Sequence, residues 1–229
     1  LAAAQKAAWQ VYRNGKLTRS GNVPAVVDDY AFFANGLVDL YETDFDPQWL
    51  LKAVELADAM LKKFYDPKDG GFYMTCGDDP SVIIRVKEEY DGAEPSGNSI
   101  ATLLLLRLAQ FTDRQDYRQA AEKTLSLFGS RMRSVPHIMP QMLCALDFYL
   151  AKPKQIIIAG KPDNAMLCAV REKFLPNKII AHTDDRLVKL MPYTKEMKPL
   201  DGKATAYVCV NYACQLPTTD LAKLRKSLE

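Results

Sequence analysis

Leu108-Ala-Gln-Phe-Thr-Asp113, with Tyr117 and Ala121 behind it, echoes Leu40-Tyr-Glu-Thr-Asp44, with Trp49 and Ala53 behind it. Each copy reads as the end of one helix, a Thr-Asp turn, and a second helix opened by an aromatic residue. The copies lie about 68–69 residues apart, a longer period than the common helical repeats. Two related αα-hairpins imply stacking in a toroid or solenoid, where each hairpin covers the apolar face of its neighbour.

Apolar spacing extends this reading over the first 150 positions. Trp49, Ala53, Val54, Ala57, Met60, Leu61 and Phe64 form one helical stripe, and Tyr117, Ala120, Ala121, Leu125 and Phe128 another. Ile138, Met142, Leu143, Leu146, Tyr149 and Leu150 continue the pattern. Ile100, Leu103, Leu104, Leu108 and Phe111, joined by Leu105 and Leu106, make a helix apolar nearly all round, which belongs in an inner layer. Strand signals are nearly absent from this part. The exception is Asp69-Gly-Gly-Phe-Tyr-Met-Thr75 followed by Ser81-Val-Ile-Ile-Arg-Val-Lys87, which reads as a β-hairpin or an ordered excursion at one rim.

Composition changes after Lys152-Pro153. Gln155 to Gly160 predicts a buried strand, Asp163 caps a helix through Phe174, and Lys178 to Ala181 predicts the next strand, giving a βαβ unit. A third strand over Thr205 to Val210 precedes a last helix capped near Thr218 or Thr219. The expected fold is mainly α: helical hairpins over 1–152 and a small α/β subdomain over 153–229.

The 229 residues are 48% hydrophobic and 25% charged, ordinary globular usage, with 30 Lys and Arg against 28 acidic residues. No basic stripe of a nucleic-acid binder stands out, and no apolar run is long enough to span a bilayer. Neither nucleic acid nor membrane is therefore expected as a partner. The start at Leu1 rather than Met suggests a piece of a longer protein. Cys76, Cys144, Cys168, Cys209 and Cys214 are few and odd in number, unlike a secreted disulfide framework. Sparse cysteines favour an intracellular or mitochondrial compartment, with secretion left open.

The richest constellation runs from Arg85 to Ser99, Arg-Val-Lys-Glu-Glu-Tyr-Asp-Gly-Ala-Glu-Pro-Ser-Gly-Asn-Ser, and opens the inner helix. Asp91 and Glu94 are candidate proton-transfer groups, with Arg85 and Lys87 orienting a polyhydroxylated or anionic ligand and Ser96 and Asn98 beside it. The alternative is an elaborate N-cap built on Pro95, Ser96, Asn98 and Ser99. Asp28-Asp29-Tyr30 opens the helix of the preceding repeat in the same way. Asp29 is a third catalytic candidate, with Asp28 and Tyr30 as binding residues. Paired carboxylates are what glycoside hydrolysis requires, and equivalent loops of a toroid converge on one rim. His137 and His182 belong to no metal-ligand pattern, and neither a metal nor an organic cofactor is implied. Cys209 and Cys214 are neither a Cys-x-x-Cys pair nor a complete zinc set. Buried inert thiols are the default, with a local disulfide, a shared metal or redox chemistry as alternatives.

Asp29-Tyr-Ala31, Gly70-Gly-Phe72, Asp91 to Ser99, Phe174-Leu-Pro-Asn-Lys178 and Tyr207-Val-Cys-Val-Asn-Tyr-Ala-Cys214 resemble the spermatogenesis-associated protein 20 family and its bacterial relatives. The resemblance implies a thioredoxin-like N-terminal domain joined to an (α/α)6 toroid of the six-hairpin glycosidase and N-acylglucosamine 2-epimerase type. This chain would supply the later hairpins of a partial toroid and the C-terminal tail. It further implies carbohydrate metabolism by fold analogy, a small-molecule carbohydrate and the thioredoxin-like domain as partners, and a link to spermatogenesis and differentiation. The alternative function is a non-catalytic interaction scaffold beside that domain. Epimerases of this fold use histidine pairs, which His137 and His182 do not match.

Overall fold

The computed structural model describes residues 1–13, 16–20, 23–77 and 82–229. The described residues form eight α-helices, a three-stranded sheet and a four-stranded sheet, a mainly α protein. They divide into two compact units, Leu1–Ala109 with Arg114–Asp147, and Gln110–Asp113 with Phe148–Glu229.

In the first unit α1 (Ala2–Val11) precedes a small antiparallel meander, β1 (Tyr12–Arg13), β2 (Lys16–Ser20) and β3 (Val23–Pro24). This meander is a correction to the expected lack of strands: its strands are short and without clear apolar alternation, so no period of two announces them. The helices α2 (Val27–Asp44) and α3 (Pro47–Phe64) then form the first hairpin, and α4 (Gly97–Thr112) and α5 (Gln115–Ser134) the second.

Both hairpins turn on two residues, the first of them left-handed: Phe45 at φ 60° and Asp113 at φ 56°. Trp49 and Tyr117 are each the third residue of the following helix, so the Thr-Asp dipeptides lie one residue out of step with the structural repeat. Asp44 ties the first turn together. Its carboxylate accepts from the Asp46 amide (2.9 Å), Gln5 Nε2 (2.7 Å) and Trp49 Nε1 (3.1 Å). Asp46 caps α3 through the Gln48 amide, and Pro47 takes the first-turn position that needs no donor.

The predicted stripes of α3 and α5 face inward: Trp49, Ala53, Ala57, Met60 and Phe64, and Tyr117, Ala120, Ala121, Leu125 and Phe128, are buried. On α4, Ile100, Leu104, Leu105, Leu106, Leu108 and Phe111 are buried, as an inner helix requires. Each fully buried Leu or Phe contributes about 1.5–3 kcal/mol of apolar transfer. In α6 (Pro140–Leu150) the inward residues are Met142, Ala145 and Phe148, and Leu150 is 65% exposed.

Among the described residues the excursion between α3 and α4 forms no hairpin ladder. Ser81 lies outside the described residues. Ile83 and Ile84 are 95% and 75% exposed, so their alternation buries no face. What survives is an isolated bridge between Tyr65 and Phe72 and a bond from the Met74 amide to the Val86 carbonyl (2.8 Å).

The second unit carries a mixed sheet in the order β5-β4-β6-β7. The central β4 (Lys154–Ala159) pairs in parallel with β5 (Lys178–His182) through α7 (Asn164–Arg171), and antiparallel with β6 (Thr205–Val210). Its Ile156-Ile-Ile-Ala159 run is wholly buried, as a central strand covered on both faces demands. Asp163 caps α7 through the Ala165 amide (2.9 Å). The last helix, α8 (Leu221–Ser227), is capped by Asp220 rather than a threonine; Thr218 instead accepts from the Asp220 amide (3.0 Å).

Candidate functional site

Of the sequence-predicted residues, Asp28, Asp29 and Tyr30 stand in the first turn of α2, and Ser96 and Asn98 at the start of α4. Val26 is extended ahead of α2, and its amide donates to Asp29 Oδ2 (2.8 Å), closing the first turn from inside. Ser96 does the equivalent for α4, accepting from the Ser99 amide (3.2 Å) while its hydroxyl meets that of Ser99 (3.0 Å). The two helix starts touch: a side chain on Gly97 would run into Asp28 Oδ1 and the Val27 methyl.

Around this junction most of the named side chains brace the protein itself. Asp91 is buried; its Oδ1 accepts from the Ser96 amide (2.8 Å) and its Oδ2 from the amides of Gln141 (2.8 Å) and Met142 (3.2 Å). Asn98 accepts from the Phe72 amide (2.7 Å) and donates to the carbonyls of Phe72 (2.9 Å) and Glu88 (2.8 Å). Arg85 clamps the Thr75 carbonyl through Nε (3.0 Å) and Nη2 (2.9 Å) and lies over the Tyr73 ring. Lys87 pairs with Asp66 (2.8 Å) and the Gly70 carbonyl (2.6 Å). Tyr30 is buried against Phe64 and accepts from Lys63 (2.8 Å). Glu94 is exposed.

Asp28 stands apart. Its Oδ1 is buried without a hydrogen-bond partner. Burial pushes its carboxyl above the ordinary range; Arg19 opposes this, while Asp29, Glu88 and Glu94 add to it. A carboxyl pushed upward among other carboxylates is the pattern that separates a proton donor from its companions.

Asp66 escaped sequence reasoning, although Asp66-Pro-Lys-Asp-Gly-Gly71 carries an Asx-turn signal. Its carboxylate takes Lys87, the Lys68 amide (2.9 Å) and the Tyr73 hydroxyl (3.0 Å). The Lys87 ammonium first, then, against an opposing push from burial, the Lys68 amide, Tyr73 and the Asp69 amide hold its pKa well below the usual carboxylate value. A lowered acid contributes stability above its unfolded pKa of about 4 and loses it as the pH falls further. The melting temperature of Asp66→Asn should therefore fall short of wild type most above pH 5, the gap closing below pH 4. Lys87→Ala should lose about 1–2 kcal/mol at neutral pH, read by urea denaturation.

In the second unit, the carboxyl ends of the parallel strands β4 and β5 border a cavity of about 510 Å³ lined by Gly160, His182, Asp184 and Lys195 among others. His182 Nε2 lies 2.6 Å from the Gly160 carbonyl, and His137 is on the surface. Cys209 and Cys214 are joined as a disulfide, so the default of inert thiols gives way at this pair; Cys76, Cys144 and Cys168 lie outside that bond. Among the described residues no group of three or more His, Cys, Asp or Glu could hold a metal ion, and no helix is long and apolar enough to cross a membrane.

No family model matches the chain. It is 37% identical over 211 residues to human spermatogenesis-associated protein 20 and 36% identical to the mouse protein of that name, covering 88% of the chain and 27% of each relative. A Caenorhabditis elegans protein named only as uncharacterised is 30% identical over 93% of the chain and 30% of its own length. The chain thus spans about a quarter of the length of the curated relatives first matched. Over the segment it shares with them, it belongs to the spermatogenesis-associated protein 20 family.

Proposed function

We propose that this chain contributes part of a carbohydrate-handling (α/α)6 toroid, with Asp28 as its proton-transfer group and Asp29 and Glu94 as its companion carboxylates. Asp91, Asn98, Lys87 and Arg85 then form the frame that holds the two helix starts together. One observation carries the reading: the unpartnered Asp28 Oδ1, packed on Gly97 with its pKa raised. A structural carboxylate in that position would have acquired a donor. The resemblance to six-hairpin glycosidases supplies the substrate class, and the relatives' name supplies the tie to spermatogenesis for the whole protein.

The test is saturation-transfer NMR of the chain with a panel of hexoses and N-acylhexosamines. Wild type should contact at least one sugar, and Asp28→Asn should weaken that contact about tenfold, the scale of one lost charged hydrogen bond. Its melting temperature should match or exceed that of wild type. The sign follows from the raised pKa: the protonated form is favoured in the fold, and the penalty that appears as pH rises through that value is absent in Asn. Unaltered sugar contact in Asp28→Asn, or none in wild type, ends the reading.

A second reading, an interaction scaffold for the thioredoxin-like domain, has its own observation. A groove of about 440 Å³ between α1 and α2 is lined by Ala4, Ala8, Val11, Phe33, Gly36 and Leu40. Partner binding there should be indifferent to Asp28→Asn.

A further inference from the structure

The β6 strand and β7 (Ala213–Cys214) are joined by Asn211 and Tyr212, both left-handed at φ 51° and 61°. Neither is glycine, so this turn is held by what surrounds it. The Tyr212 amide donates to Gln155 Oε1 (3.0 Å), its ring meets Tyr193 edge-on at 5.1 Å, and its hydroxyl reaches the Gln110 carbonyl (3.2 Å). Beyond Cys214 the chain stays paired with β6. The Gln215 amide donates to the Val208 carbonyl (3.0 Å), and Ala206 and Thr218 exchange bonds of 2.9 and 3.0 Å.

The Cys209–Cys214 disulfide spans directly opposed residues of this hairpin. It closes a very short loop, so it removes less unfolded-state entropy than a long-range bridge would. With the turn and the following segment held by other bonds, the hairpin does not depend on it. The two sulfurs are also unequal. Cys209 is 1% exposed and lies against the central strand opposite Gln155, whereas Cys214 is exposed and followed by Leu216 at 92% exposure. A reagent therefore meets the disulfide from the Cys214 side.

We propose that Cys209–Cys214 is a dithiol–disulfide exchange site, whose reaction partner is a soluble small-molecule or protein dithiol. One thiolate of the dithiol attacks Cys214 Sγ, forming a mixed disulfide, and Cys209 leaves with the bond's electron pair and takes up a proton. The second thiol of the dithiol, losing its proton, attacks its own sulfur in the mixed disulfide and releases Cys214 as the second thiol. Two electrons and two protons pass to the protein, and the dithiol becomes a disulfide. The reverse sequence, with Cys209 resolving a mixed disulfide on Cys214, delivers them to an oxidised partner. This site is independent of the sugar reading, since none of its residues lies near Asp28 in the chain or shares its unit.

The test begins with the native chain, its other three cysteines treated with N-ethylmaleimide. Dithiothreitol is then added without denaturant and newly released thiols are labelled with iodoacetamide. Mass spectrometry should find both Cys209 and Cys214 carbamidomethylated with the far-ultraviolet dichroism unchanged, and in a parallel reduced sample left unalkylated, removal of reductant and addition of an oxidised dithiol should restore the bond. In the single variants, Cys214 of Cys209→Ser should form a mixed disulfide with oxidised glutathione at least about tenfold faster than Cys209 of Cys214→Ser, as exposure dictates. Maleimide on both residues before reduction, release of thiols only in denaturant, or faster reaction at Cys209 would each overturn the proposal.

Discussion

Asp91→Ala is expected to lose about 3 kcal/mol, because its carboxylate accepts from three backbone amides drawn from two elements. Removing it strands the Ser96 amide at the start of α4 and the Gln141 and Met142 amides at the start of α6, in a place where Asp91 is 7% exposed. A water entering the cavity could satisfy one of the three, which is why the expected loss is well short of three full desolvation penalties. Asp91→Asn keeps the volume but turns one acceptor into a donor facing an N–H group, so it should recover less than half of the loss. Urea unfolding at pH 7 reads both values. A chain that keeps its stability in Asp91→Ala yet loses ligand contact would return Asp91 to the role its sequence position suggests, that of a proton-transfer group.

The contrast between Asp91 and Asp28 shows where sequence reading reaches its end. Both are acids just ahead of an apolar helix, and local pattern treats them alike. Their difference lies in partners far along the chain: Gln141 and Met142 for Asp91, and the closeness of Gly97 for Asp28. The helices of both hairpins were legible because burial on one face imposes a period of 3.6 on residues such as Trp49, Ala53, Met60 and Phe64. The βαβ tail was legible because a central strand buried on both faces reads as Ile-Ile-Ile ending in Gly160, and Asp163 announces its helix. The meander at Tyr12 to Pro24 was not, since its strands are too short to show a period of two. Lys87 and Arg85 look from sequence like ligand-binding cations, but Asp66, the Gly70 and Thr75 carbonyls and the Tyr73 ring lie outside any local window that would reveal their pairing. Arg85 and Lys87 therefore read as ligand groups in sequence, while in three dimensions their bonds run to acceptors of the chain itself.

Arg107→Ala is expected to have the largest effect on stability, about 4 kcal/mol, the range found when one member of a buried ion cluster is removed. Arg107 stands in the leucine-rich face of α4, 9% exposed. Its Nη1 donates to Asn35 Oδ1 (2.8 Å), and its Nη2 meets Asp39 (2.7 Å) and Glu42 (2.9 Å), all three acceptors lying on α2. A cation buried in a leucine-rich stretch must find acceptors, and here α2 supplies them. The loss falls mainly on Glu42, whose side chain is 18% exposed, and little on Asp39, which at 61% remains solvated. Arg107→Lys should recover only part of the loss, because one ammonium cannot reproduce a planar fork that reaches Asn35 from one nitrogen and two carboxylates from the other. A double-mutant cycle with Glu42→Gln separates the pair from the packing of the arginine stem. Arg107→Ala should be distinctly milder in the Glu42→Gln background, by about 1–2 kcal/mol. Equal losses in both backgrounds would mean that α2 and α4 are held by their apolar contacts alone, and that the ion cluster merely fits where those contacts leave room.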